Sequence, residues 1–176
     1  MRRFRPLHWG RRFFGSIRPG APPETDVQWA LGLLSPAEQP LFARMSNPDR
    51  RHAIRVARAA DAGLPEGIER RHEALVAALL HDVGKTVAGL GTYGRVIATL
   101  SGAVGGADLA ELWQDTTGYT RKVGLYLRYP ELGAELLAVA GSKPWVIAWS
   151  REHHNPEADW TLPPEIGRVL VAADES

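Results

Sequence analysis

Apolar residues recur at helical spacing along nearly all of the chain beyond residue 23, and no useful stretch alternates with the period of two that marks a half-buried strand. Residues 24–34 place Val27, Leu31 and Leu34 on one side of a short amphipathic helix. Ser35-Pro36 followed by Glu38 reads as an N-cap, a proline at the first helical position and an acidic first turn. Asn47-Pro48 repeats the device and opens a helix through His52, Val56 and Ala60 that Gly63 ends. A longer helix is predicted from about Glu66 to Val83, with Leu75, Val76, Leu79 and Leu80 as its buried stripe and Gly84 as its stop. Residues 86–118 are rich in glycine and irregular in period, with one helix expected near Tyr93–Leu100. Further helices are expected at about 119–128, 130–140, 143–154 and 164–175, with Pro130, Pro144 and Pro163-Pro164 near their starts. The fold class that follows is all-α: one helical domain over 24–176, preceded by a tail and linker at 1–23.

Four polar residues interrupt the apolar rows on inward faces. Asp174 sits eight residues after Ile166, on the stripe formed by Ile166, Val169, Leu170 and Ala173. Asp82 falls seven after Leu75 and three after Leu79. His81 continues the small residues Ala74, Ala77 and Ala78, and His52 precedes Val56 and Ala59 on its own helix. A buried carboxylate is costly unless it is paired or bound to metal. Imidazole and carboxylate together suit Mn, Fe, Zn, Ni or Mg. Taken singly, an inward His is more often a hydrogen-bonded core residue, and Asp174 could be only a frayed terminal carboxylate. His8 and His72 lack this context and read as tail and helix surface.

Composition narrows the chemistry. The 176 residues contain no cysteine, which excludes disulfides, thiol nucleophiles and Cys-based zinc knuckles; a metal would be held by His, Asp or Glu. No run of eighteen apolar residues predicts a membrane-spanning helix, and the N-terminus lacks a secretory core, so cytoplasmic residence is the default expectation. The net charge of +1 hides a split, because residues 1–20 carry six Arg and no acid. Interleaved with Phe4, Trp9, Phe13 and Phe14, that segment reads as a mobile basic tail able to make weak contact with an anionic surface. It carries no nucleic-acid motif. Gly89-Leu-Gly91-Thr-Tyr-Gly94 spells a dinucleotide-binding fingerprint, but that motif works only between a strand and a helix. Here it follows a helix and reads as a loop.

The order His52, His81-Asp82-Val83-Gly84-Lys85, His153-His154 and Asp174 resembles the HD-domain superfamily of metal-dependent phosphohydrolases. Leu75-Val-Ala-Ala-Leu-Leu-His-Asp82 looks like the segment that ends in that family's dyad. Tyr129-Pro-Glu-Leu-Gly133, the His pair and Ile166–Asp174 follow in the order of its bimetallic branch. The resemblance covers roughly residues 45–176. It implies a helical bundle in which His52, His81, Asp82 and Asp174 hold a first divalent ion. Asp82 would be able to bridge to a second ion, with His153 and His154 as candidate ligands. It also implies that the ion lowers the pKa of a water, that Asp82 orients it, and that Lys85 faces a substrate phosphate. The implied substrate is a nucleotide or other phosphorylated small molecule.

Two departures qualify what the resemblance implies. The bimetallic branch has His where this chain has Tyr129, and phenol, with an ordinary pKa of about 10, is a poor ligand at neutral pH. The second metal position is therefore expected to be weak or empty, leaving one ion. The stretch after His154 lacks Gly-Tyr-Pro, so cyclic di-GMP hydrolysis is not implied. Asp174, in a terminal turn prone to fraying, adds a further reason to carry a second hypothesis. That hypothesis is a degenerate, non-catalytic HD domain that binds a nucleotide or protein partner.

Overall fold

The computed structural model describes residues 20–90, 112–113 and 115–176, and among these helices and short turns make up all the regular structure. The basic tail before Gly20, the expected helix near Tyr93–Leu100 and most of the fingerprint-like loop lie outside the described residues. The first helix, α1, spans Glu24–Leu33; its Glu24 and Asp26 sit where the helix dipole favours negative charge. Helix α2 spans Gln39–Arg44, one turn later than Ser35-Pro36 predicts. Buried Glu38 accepts the Ser35 N–H at 2.9 Å through Oε2 and the Ser142 hydroxyl at 2.7 Å through Oε1. It thereby ties this turn to a connection a hundred residues away.

Helix α3 runs over Asn47–Gly63, and its cap is Ser46 rather than Asn47. The Ser46 hydroxyl accepts the Asp49 N–H at 3.3 Å and donates to the Asp49 carboxylate at 2.6 Å. Helix α4 spans Arg71–Leu80, shorter at both ends than its composition suggests. Gly67 and Arg70 take positive φ of 71° and 61°, so residues 66–70 turn instead of coiling. The Arg71 guanidinium then stitches this corner, donating to Asp61 Oδ1 at 2.9 Å and to the Leu64 carbonyl at 3.2 Å.

Every residue of α4 from Ala74 to Leu80 is buried, so its expected stripe is in fact the whole circumference. It is the central helix. Helices α3 and α8 (Pro144–Glu152) pack most closely on it, with α1 and α9 (Pro164–Glu175) also in contact. Full burial of Leu79 and Leu80 contributes about 1.5–3 kcal/mol each. Trp149 on α8 meets Trp160 edge-on at 5.5 Å and closes the α8–α9 side. A short helix α5 (Lys85–Ala88) follows α4, and α6 (Gly118–Leu127) and α7 (Tyr129–Val139) pack against it. No helix among the described residues is long and apolar enough to cross a membrane.

Between α4 and α5 the chain leaves the α-helical ladder, with Val83 N–H to Leu80 O at 3.1 Å and Lys85 N–H to Asp82 O at 3.0 Å. These i to i+3 bonds wind residues 81–84 tighter than an α-helix. Gly84 is required here. A Cβ at this position would lie 1.9 Å from the Tyr129 carbonyl oxygen and 2.6 Å from the Gly133 nitrogen. Fully buried Ser150 of α8 reaches the same junction, its hydroxyl 3.4 Å from the carbonyls of both His81 and Pro130. Backbone thus meets backbone where α4, α7 and α8 converge.

Gly84→Ala is predicted to cost at least about 3 kcal/mol, because rigid backbone rather than a flexible side chain must give way. Gly32→Ala is the contrasting case, since a Cβ there meets nothing within 4 Å. It should raise stability by about 0.5–1 kcal/mol. Urea unfolding midpoints of the two variants check both signs.

Candidate metal centre

Five elements deliver polar side chains to the junction. His52 comes from the second turn of α3, His81 and Asp82 from the turn after α4, and Lys85 from the start of α5. His153 and His154 come from the end of α8, and Asp174 from the last turn of α9. The sequence-predicted residues therefore come together. His72, by contrast, is exposed on the surface of α4, as its sequence context suggests.

One group is centred on His52, His81, Asp82 and Asp174. His52 Nε2 lies 2.9 Å from Asp174 Oδ1 and 3.9 Å from Asp82 Oδ2. His81 Nε2 lies 3.5 Å from Asp82 Oδ2 and 3.7 Å from Asp174 Oδ1. Ligands about 2.1 Å from a common ion are about 3.0 Å apart when adjacent and about 4.2 Å apart when opposite. All four separations fit that window. His81 Nε2 and Asp82 Oδ1 are moreover buried without a hydrogen-bond partner, while His52 Nε2 is within hydrogen-bonding distance of Asp174. Such atoms cost free energy in an apolar interior unless something else satisfies them. The His52, His81 and Asp82 side chains form a group able to hold a metal ion.

The ring orientations bear on that capacity. His81 Nδ1 donates to the Ala78 carbonyl at 2.8 Å, which leaves Nε2 with its lone pair facing the cluster. His153 Nδ1 is held likewise by the carbonyls of Trp149 and Ser150, at 3.1 and 3.0 Å. His52 differs. Arg55 Nη2 donates to its Nδ1 at 3.0 Å, so the proton of the neutral ring sits on Nε2. Ligation by His52 Nε2 requires that proton to move to Nδ1 and Arg55 to turn away.

Burial sets the protonation states of the group. Desolvation holds His52 below its ordinary pKa, and desolvation with neighbouring imidazoles holds His153 well below it. Desolvation also pushes His154 down to about 4. These rings are neutral at pH 7 and retain lone pairs. For Asp82 desolvation opposes the charge, but Lys85 and the surrounding histidines outweigh it and keep the carboxyl well below the usual range. Lys85 Nζ rests 2.5 Å from Asp82 Oδ2. Burial alone would discharge the ammonium, and Asp82 overcomes that and raises its pKa.

A second group lies on the other side of Asp82, whose Oδ1 is 4.0 Å from His153 Nε2. Here the phenol of buried Tyr129 lies 3.2 Å from His153 Nε2 and is also hydrogen-bonded to His154 Nε2. Sequence reasoning placed Tyr129 as an absent imidazole; its hydroxyl contact with both histidines had no signal in spacing alone. The Lys85 ammonium sits 4.8 Å from the centre of its ring.

Replacing Arg55 by Ala is predicted to tighten Mn²⁺ binding by up to about tenfold, because no donor then holds the His52 proton on Nε2. Calorimetric titration of chelator-stripped protein measures this, and weaker binding would show that Arg55 supports the site instead. No family model, curated protein or solved structure matches this chain, so the metal centre is read from its own geometry.

Proposed function

We propose that this chain is a metal-dependent phosphohydrolase of the HD type, acting on a nucleotide or other phosphate ester. One observation carries the reading. Unpartnered buried atoms of His81 and Asp82 share a small volume with His52 and Asp174, at separations that suit a divalent cation of the Mn, Fe, Ni, Zn or Mg kind. When bound, such an ion acidifies a water molecule and offsets negative charge on a phosphoryl group.

The protein's own residues supply the rest. Asp82 Oδ2 faces His52 and His81 while Oδ1 faces His153, so the carboxylate can hold one proton of an attacking water in a fixed direction. Lys85, half-buried and charged beside Asp82, supplies the positive charge that a phosphate oxygen needs. Burial at the convergence of α4, α7 and α8 lowers the local dielectric and strengthens both effects. Substrate recognition beyond the phosphate falls to groups around this centre.

A second reading has its own support. With Nζ 2.5 Å from Oδ2, Lys85 already acts as an internal cation for Asp82, as in a domain that binds a ligand without turning it over. The two readings separate on two variants. Asp82→Asn preserves shape but removes the charge; it should weaken Mn²⁺ binding by at least about 100-fold and abolish hydrolysis of a phosphate-ester panel. Lys85→Met should retain Mn²⁺ while losing about 10²–10³-fold in kcat. Wild-type protein that takes up no divalent ion and hydrolyses nothing in the panel would favour the binding module.

A further inference from the structure

The geometry points to Tyr129 as the residue that fixes the metal content of this chain at one ion: we propose that its phenol occupies the position where His153, His154 and Asp82 would otherwise hold a second. The inference rests on the metal-site reading above and concerns its stoichiometry.

Donor accounting carries it. His153 Nδ1 faces two carbonyls, at 3.1 and 3.0 Å, and must carry the ring proton, so Nε2 is an acceptor. The Tyr129 hydroxyl, 3.2 Å away, donates to it. The phenol oxygen is then left to accept, and the partner able to donate is His154 Nε2–H. The resulting chain runs from His154 through Tyr129 to His153, and it uses both imidazole nitrogens that would face an ion. A cation there must break both hydrogen bonds and strip the phenol of its proton or displace it.

Charge acts in the same direction. The Lys85 ammonium lies 4.8 Å from the Tyr129 ring centre, on its face, and 2.5 Å from Asp82 Oδ2. A second divalent ion would approach that ammonium, with Asp82 Oδ1 standing 4.0 Å from His153 Nε2. The phenol is also fixed in place. Its backbone carbonyl meets Gly84 without room for a Cβ, and its ring packs 5.7 Å from Tyr126 and 5.8 Å from His153. In the first group, by contrast, His81 Nε2 and Asp82 Oδ1 lack hydrogen-bond partners.

Full-length protein stripped with chelator, incubated with excess Mn²⁺ and desalted is expected to retain about one Mn per chain by elemental analysis. Tyr129→His, checked for native circular dichroism, places a third imidazole among His153, His154 and Asp82 and should retain about two. Tyr129→Phe keeps the ring and removes only the hydroxyl, so it should show a second, weaker Mn²⁺ binding event by calorimetry even if the His variant does not fold. Two ions in the wild type, or a single event in every folded variant, would overturn the inference while leaving the first site intact. A wild type that retains none removes the metal-site reading and this inference with it. Loading with Fe³⁺ adds an independent readout. A visible phenolate charge-transfer band in the wild type, absent from Tyr129→Phe, would show that the phenol is a ligand and contradict the proposal.

Discussion

The carboxylate of Asp82 is almost fully buried, yet it remains ionised, and the arrangement of the surrounding helices follows from satisfying that charge. An isolated ionised carboxylate in a protein interior carries a penalty of several kcal/mol, which paired charges and hydrogen bonds must offset. Here Lys85 on α5, 2.5 Å from Oδ2, supplies the paired charge, while the imidazoles of His52 on α3, His81 beside it and His153 at the end of α8 stand 3.5–4.0 Å away. The apolar wall behind it is α4, buried around its whole circumference. The core and the site are thus one construction. The same burial that makes α4 a stable centre makes Asp82 a strong electrostatic focus.

Holding these groups in place depends on a few close approaches rather than on long helices. The absence of a side chain at Gly84 lets the turn carrying the dyad lie against the start of α7. That contact positions Tyr129 relative to His81 and Asp82. Ser150 reaches the same turn from α8, four residues before His154. A shift of this junction would move both histidine groups together, which couples the geometry of the first cluster to that of the second.

Much of this architecture was legible from spacing. The stripe of the last helix turned Asp174 inward, where the structure sets it 2.9 Å from His52, and the apolar rows leading to residues 81 and 82 predicted that both would be buried. What spacing could not show were departures from helical geometry. Residues 66–70 contain good helix formers, but a left-handed Gly67 and Arg70 divert the chain, and no local pattern marks an Arg with φ of 61°. The dyad was assigned to a helix end, whereas i to i+3 bonds place it in a tight turn. The cap of α3 lies one residue earlier than the spacing suggests, at the Ser46 hydroxyl, and α2 begins a turn later than Ser35-Pro36 predicts. Tyr129 was visible as a departure from a resembled pattern, but not as a hydrogen-bonded bridge. Pairwise contacts between residues 24 positions apart have no periodic signature.

The account stands on a cation being shared by imidazoles and carboxylates from two helices and a turn. Crystals grown with Mn²⁺ and measured for anomalous scattering test this directly. The account predicts one strong anomalous peak bounded by His52 Nε2, His81 Nε2, Asp82 and Asp174. A well-ordered site with no peak among those four side chains would contradict it, as would a peak held elsewhere on the chain.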